Sequence, residues 1–179
     1  GTQIFAGLVR IDDKFIPHPY LAKSWTVSDD GRTYTFKLVE GATFHDGKPI
    51  TSEDVAFSLK TVKENHPFGI AMFDAVENVE TPDPNTAVFK LSKPHPALMQ
   101  ALAPLLMPVI PKHVYGDGQN PKTHPMNGTP VGSGPFKFKE WVKGQHIVLE
   151  KNENFFIPGR PYLDNIVLKF IKETSVRML

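Results

Sequence analysis

The sequence contains no cysteine, which excludes disulfides, thiolate nucleophiles, zinc fingers and iron–sulfur ligation. That absence suits an oxidising and a reducing compartment equally. No stretch approaches the roughly 18 consecutive apolar residues that mark a membrane-crossing helix. No charged segment followed by an apolar one opens the chain at Gly1, so an export signal is expected to have been removed or never present. Neither charge sign dominates: 20 Lys+Arg stand against 19 Asp+Glu, a formal charge of +1. A bulk electrostatic affinity for nucleic acid or anionic membrane is therefore not implied. Internal repeats and low-complexity tracts are also lacking.

What is present suits a folded chain with many short elements. A chain of 179 residues with 40% hydrophobic content can bury a core without covalent staples. Its 17 prolines are nearly double the usual level of about 5%, which rules out long bundles and coiled coils. Trp25-Thr26-Val27 and residues 33–38 read as a hairpin around Ser28-Asp29-Asp30-Gly31, with Tyr34, Phe36 and Leu38 alternating against Thr35 and Lys37. Thr51 and Asp54 form a capping-box variant for a helix carrying Val55, Leu59 and Val62 on one face. That helix is expected to end near Glu64, ahead of His66-Pro67. Residues 76–81 and 86–91 predict a second hairpin, residues 96–103 a short helix, and residues 112–115 one helical turn. Leu105 to Pro111 is apolar but too broken by proline for a central strand, and residues 116–129 read as an exposed loop. Residues 136–141 and 147–149 predict a third hairpin about Lys143-Gly144, followed by a strand over 166–171. Residues 173–179 read as a helix cut short, so the chain is expected to be part of a longer protein.

Catalytic constellations are not evident. The seven histidines, His18, His45, His66, His95, His113, His124 and His146, form no HExxH pair and no cluster at ligand spacing, and read as solvated loop residues. His45-Asp46 is the one adjacent pair, and a turn role suits it better than a dyad. Gly132-Ser133-Gly134 lacks the lysine of a phosphate-binding loop and the frame of a nucleophile elbow, and Pro135 prevents a helix from opening behind it. It reads as a tight backbone corner. Asn127-Gly128-Thr129 matches a glycosylation acceptor, a common accident. Leu98, Met99, Leu102, Leu105 and Met107 suit core packing before they suit a cofactor pocket. On residues alone this is an α+β domain without evident catalysis.

Three stretches together resemble one family. Leu21-Ala22-Lys23-Ser24-Trp25 with Asp29-Asp30-Gly31 and Tyr34-Thr35-Phe36-Lys37-Leu38 is the first. Phe44-His45-Asp46-Gly47-Lys48-Pro49-Ile50-Thr51-Ser52-Glu53-Asp54-Val55 is the second. The third is Pro130-Val131-Gly132-Ser133-Gly134-Pro135-Phe136, followed by Lys151-Asn152-Glu153-Asn154-Phe155-Phe156 and Gly159-Arg160-Pro161. In order and spacing they resemble the extracellular solute-binding proteins of ABC importers, in the branch that carries peptides, nickel and related ligands.

The resemblance implies mixed sheets with hairpins and short helices, forming part of lobe I of a two-lobed fold of the type II periplasmic-binding-protein kind. Residues 1–30 and 130–179 would belong to the main part of that lobe, and residues 31–129 to the extra subdomain of the peptide-binding branch. The second lobe would lie outside the chain. The implied role is capture of di- or oligopeptides in the periplasm or outside the cell and delivery to the permease subunits of the transporter, without cofactor and without catalysis. Binding of nickel chelates, haem or another small solute is the alternative, and a structural or adhesive relative is a further one. By analogy with the family, Thr2, Gln3, Phe68, Met72, Leu106 and Met107 are expected at the ligand, with Gly132 and Ser133 as a corner behind them. Apolar lining leans toward peptides. A lone lobe would uncover apolar surface, and such a face is expected to favour dimerisation.

Overall fold

Tyr34, Phe36 and Leu38 alternate with more exposed neighbours, and that alternation puts one face of a strand into the core. The computed structural model describes residues 1–171. Strands β1 (Val9–Ile11) and β2 (Pro17–Pro19) form a small antiparallel ribbon. Strands β3 (Ala22–Val27) and β4 (Thr33–Leu38) form the first expected hairpin. With β5 (Val76–Asp83) and β6 (Thr86–Leu91) they make a four-stranded antiparallel sheet in the order β3-β4-β6-β5. Strands β7 (Phe136–Val142), β8 (His146–Lys151) and β9 (Asn165–Lys169) make a second antiparallel sheet.

Helix α1 (Ser52–Asn65) starts where the cap predicts: the Asp54 carboxylate accepts from the Thr51 amide at 2.9 Å and from its hydroxyl at 3.0 Å. The other carboxylate oxygen accepts the Lys112 amide at 2.9 Å, which ties α1 to the single turn α4 (Lys112–Tyr115). Val55, Leu59 and Val62 are buried. Helix α2 (Gly69–Phe73) follows directly. Helix α3 (Leu98–Ala101) is shorter than the expected 96–103, because Pro96 lies in the turn ahead of it and Pro104 closes it.

The core runs through Leu8, Leu21, Phe36, Phe44, Phe73, Phe89, Leu98, Leu102 and Met107, all essentially inaccessible. It joins the four-stranded sheet to α1, α2 and α3. Residues 116–129 are mostly exposed, as expected, with one buried side chain among them. They contain a 3-10 turn, Pro125–Gly128, and a buried His124 packed 4.9 Å from the Tyr115 ring. An aromatic shelf and the Met126 amide, which donates to its Nδ1, make His124 a structural residue and not a solvated one. Hairpin β3–β4 carries the chain across residues 30 and 31. The expected helix over 173–179 lies outside the described residues.

Candidate functional site

The N-terminal segment is threaded between two distant parts of the chain. Ala6 accepts the Val109 amide at 2.8 Å, and Leu8 donates to Leu102 at 3.2 Å. On its other side Ile4 accepts the Gly134 amide at 2.7 Å, and Gln3 accepts the Phe136 amide at 3.0 Å. Ser133 joins both sides: its hydroxyl accepts the Ala6 amide at 3.0 Å and donates to the Val109 carbonyl at 3.3 Å. Ser133 is completely buried, so each of these bonds replaces water that is no longer there.

His45 fastens the same corner from outside. Its Nδ1 accepts the Gly132 amide at 3.2 Å, its Nε2 lies 3.0 Å from the Gly134 carbonyl, and its own amide donates to Gly132 at 2.8 Å. One ring nitrogen must accept and the other donate, so the imidazole is neutral with its proton on Nε2. Burial holds its pKa below the ordinary value; the Gly134 contact and Asp46 pull the other way, and Lys137 adds to the lowering. The folded protein therefore takes up this proton at lower pH than the unfolded chain. Its contribution is full above about pH 6.5 and fades as pH falls through the lowered folded value. Replacing His45 by glutamine keeps a donor and removes the titration. The stability difference between pH 7.5 and 5.5 should then shrink relative to the wild type, as read by urea unfolding at both pH values. An unchanged slope would remove His45 as an acid-sensitive clamp.

This threading leaves Thr2 and Gln3 outside, beside two open grooves that meet at Arg10. One, of about 410 Å³, is lined by Thr2, Arg10, Phe15, Gln100, Leu105 and Leu106 among others. The second, of about 450 Å³, includes Gln3, Arg10, Phe155, Arg160, Tyr162 and Leu163. Phe15 is presented by a loop wound around Asp12, whose carboxylate accepts the Lys14 and Ile16 amides and contacts His18 Nε2 at 2.8 Å. Phe15 has φ of 61° and is 75% exposed. A left-handed phenylalanine costs on the order of 1–2 kcal/mol, and the Asp12 bonds hold it there. Burial pushes the Tyr20 phenol up to about 12, against the opposing pull of nearby Arg10.

Of the residues expected at a ligand, the structure brings Thr2 and Leu106 to one groove and Gln3 to its neighbour. Met107, Gly132 and Ser133 are buried behind them, with no surface open to a ligand. Met107 faces inward because its amide closes a turn onto Ala103, which sends Leu105 out and the next-but-one side chain in. Phe68, exposed, and Met72, packed on the core, belong to α2 and its cap and line neither groove. Arg10, Phe15, Arg160 and Tyr162 were not foreseen. A lone Phe in the polar stretch Asp12-Asp13-Lys14 is a signal that could have found one of them.

A larger groove, of about 600 Å³, runs between α1 and β5. Three of its charged residues are engaged: Lys112 pairs with Glu53 at 2.8 Å, and Lys63 donates to the Val76 carbonyl at 2.8 Å. It lies apart from the residues of the N-terminal segment, so size alone does not make it the better candidate.

Known proteins share this fold. The family described as bacterial extracellular solute-binding proteins, family 5 Middle, matches residues 17–179. A putative ABC transporter peptide-binding protein from Brucella ovis is 35% identical over 160 residues, covering 87% of this chain and 30% of that protein. The structure of NikZ from Campylobacter jejuni in complex with Ni(L-His) superimposes with a TM-score of 0.89 at 32% identity, covering 99% of this chain and 35% of that one. The oligopeptide-binding protein AppA from Bacillus subtilis, in complex with a nonapeptide, gives 0.87 at 32% identity, covering 98% and 36%. The chain thus spans about a third of the length of the relatives it matches.

Proposed function

Because the chain belongs to the bacterial extracellular solute-binding proteins of family 5, we propose that it is part of the receptor of an ABC importer that captures peptides and delivers them to membrane permease subunits. The family is a class of transport proteins and not of enzymes, and it places the chain outside the cytoplasm. Both peptide and metal-chelate ligands occur among its structural relatives. The observation that favours peptides is the groove whose walls are carried by Phe15, Ala103, Pro104, Leu105 and Leu106. Such a wall stabilises apolar side chains by about 25 cal/mol per Å² removed from water. It offers little to a strongly hydrated chelate.

A peptide enclosed there must also have its amides satisfied, at about 1–3 kcal/mol for each polar group left unpaired. Closure of a second lobe over the ligand would supply contacts in one state only, and so shift the open and closed populations. In this reading residues 31–129, which carry β4 to β6 and α1, are the extra subdomain. Thr2, Gln3 and Leu106 are the residues of the first group to approach the ligand, while Met107, Gly132 and Ser133 hold the backbone under them.

Native mass spectrometry of the full-length protein, purified without added ligand, tests the reading. Bound species of a few hundred daltons that fragment as peptides are the expected result. Stoichiometric nickel or iron on elemental analysis, with no peptide released, would overturn it in favour of a chelate receptor.

A further inference from the structure

His45 differs from most of the other histidines in what its ring meets. His18, His113, His124 and His146 each lie against a carboxylate, at 2.7 to 3.3 Å, where an added proton completes an ion pair. His45 is instead clasped between two remote backbone groups: its Nδ1 accepts the Gly132 amide at 3.2 Å, and its Nε2 donates to the Gly134 carbonyl at 3.0 Å. A proton added at Nδ1 sets two N–H groups against each other and leaves the Gly132 amide without its acceptor. The charges that act on the ring are few. Lys137 on β7 opposes the extra proton, and Asp46 favours it. Asp46 is drawn toward α4, where it meets His113 Nε2 at 2.7 Å, and it also accepts the Lys48 amide. Residues 3–6 of the N-terminal segment carry no titratable side chain.

What this ring holds is in turn what holds the N-terminal segment. The Gly134 amide donates to the Ile4 carbonyl at 2.7 Å, the Phe136 amide to that of Gln3 at 3.0 Å, and the Ser133 hydroxyl accepts the Ala6 amide at 3.0 Å. Gly132 lies so close to the Ile4 carbonyl that not even a methyl group fits between them, so a shift of one displaces the other. Thr2 and Gln3, just beyond, line the two grooves. We infer that the His45 imidazole is a proton-operated catch on the N-terminal segment: a proton at Nδ1 frees the Gly132 corner, and with it the groove walls at Thr2 and Gln3. In acid the segment leaves its corner and the grooves lose those walls. Solute seated there is held less tightly, whatever its class, and by linkage a bound solute makes the ring harder to protonate.

Hydrogen exchange of the full-length protein, read by mass spectrometry of proteolytic fragments between pH 7.5 and 4.5, tests the catch. After correction for intrinsic rates, protection in fragments covering residues 3–8 and 132–138 should fall about tenfold in acid, the effect of one lost buried bond. Fragments of the β3–β4 hairpin should keep their protection. Lys137→Met removes the cation that opposes the proton, so it should move the midpoint of the fall to higher pH. His45→Gln should abolish the fall, and if that variant misfolds by circular dichroism, the Lys137→Met midpoint decides. Protection unchanged across the range, an equal fall in the hairpin, or a midpoint unmoved in Lys137→Met would each overturn the catch. A random tetrapeptide library retained at pH 7.5 should be shed at pH 4.5 by the wild type and kept by His45→Gln. Equal shedding by both would overturn the link to the grooves. No retention at pH 7.5 would overturn peptide capture, while the exchange result still decides the catch.

Discussion

Replacing Phe36 by alanine is expected to destabilise the protein by about 3–5 kcal/mol, the range for emptying a fully buried aromatic site. Phe36 is completely inaccessible and sits on β4, the strand flanked on both sides by β3 and β6. Its ring meets Phe89 edge-on at 5.2 Å and lies 6.4 Å from both Tyr34 and Trp25. Three rings from three strands cannot all move into the void, because each is held by its own ladder of hydrogen bonds. Leucine at the same position should cost much less, since it refills most of the volume. Urea unfolding followed by tryptophan fluorescence reads both, and Trp25 reports directly on the site. A loss below about 1 kcal/mol for the alanine variant would mean that the sheet collapses around the cavity, contrary to the packing described.

Gly132→Ala should cost about 3 kcal/mol by a different route. A methyl group added there collides with the Ile4 carbonyl, whose carbon would lie 2.8 Å from it. That carbonyl already accepts the Gly134 amide, and Gly132 is pinned on both its polar groups by His45. Relief in either direction breaks at least one bond in a buried place. Gly144→Ala provides the contrast: nothing lies within 4 Å of its added carbon, and only its φ of +78° opposes the change. It should lose about 1 kcal/mol. Equal losses for the two variants in the same urea series would show that close approach at Gly132 plays no part.

The hairpins and α1 were legible in the sequence because their signals are local. Period-two alternation in 33–38, Pro84-Asn85 within the β5–β6 turn, and Thr51 with Asp54 each act within a few residues. The shortened α3 shows the limit, since a proline compatible with a first turn does not oblige the turn to form. The site was harder. Leu105, Leu106 and Met107 are alike in sequence, and an irregular turn sends one out and another in without any period to read. Arg10 faces outward between a buried Val9 and a half-buried Ile11, on a strand of three residues, too short to reveal its alternation. His45 reads as a loop residue until Gly132, 87 positions away, is known to lie against it.

The Ser133 hydroxyl reaches the amide of Ala6 across 127 positions of chain. The β7–β8 turn, by contrast, joins strands that need only a few residues to find each other. Contacts of such different reach form at different times, since a long loop must be ordered before a remote pairing gains anything. The hairpins and α1 are therefore expected to form early, and the N-terminal segment to dock late onto them, an order that pulsed hydrogen exchange during refolding would read. Because Thr2, Gln3 and Arg10 come into place with that docking, the grooves are expected to be completed after the sheets. A lesion at the Ser133 corner would accordingly slow maturation of the binding surface more than it slows the sheets.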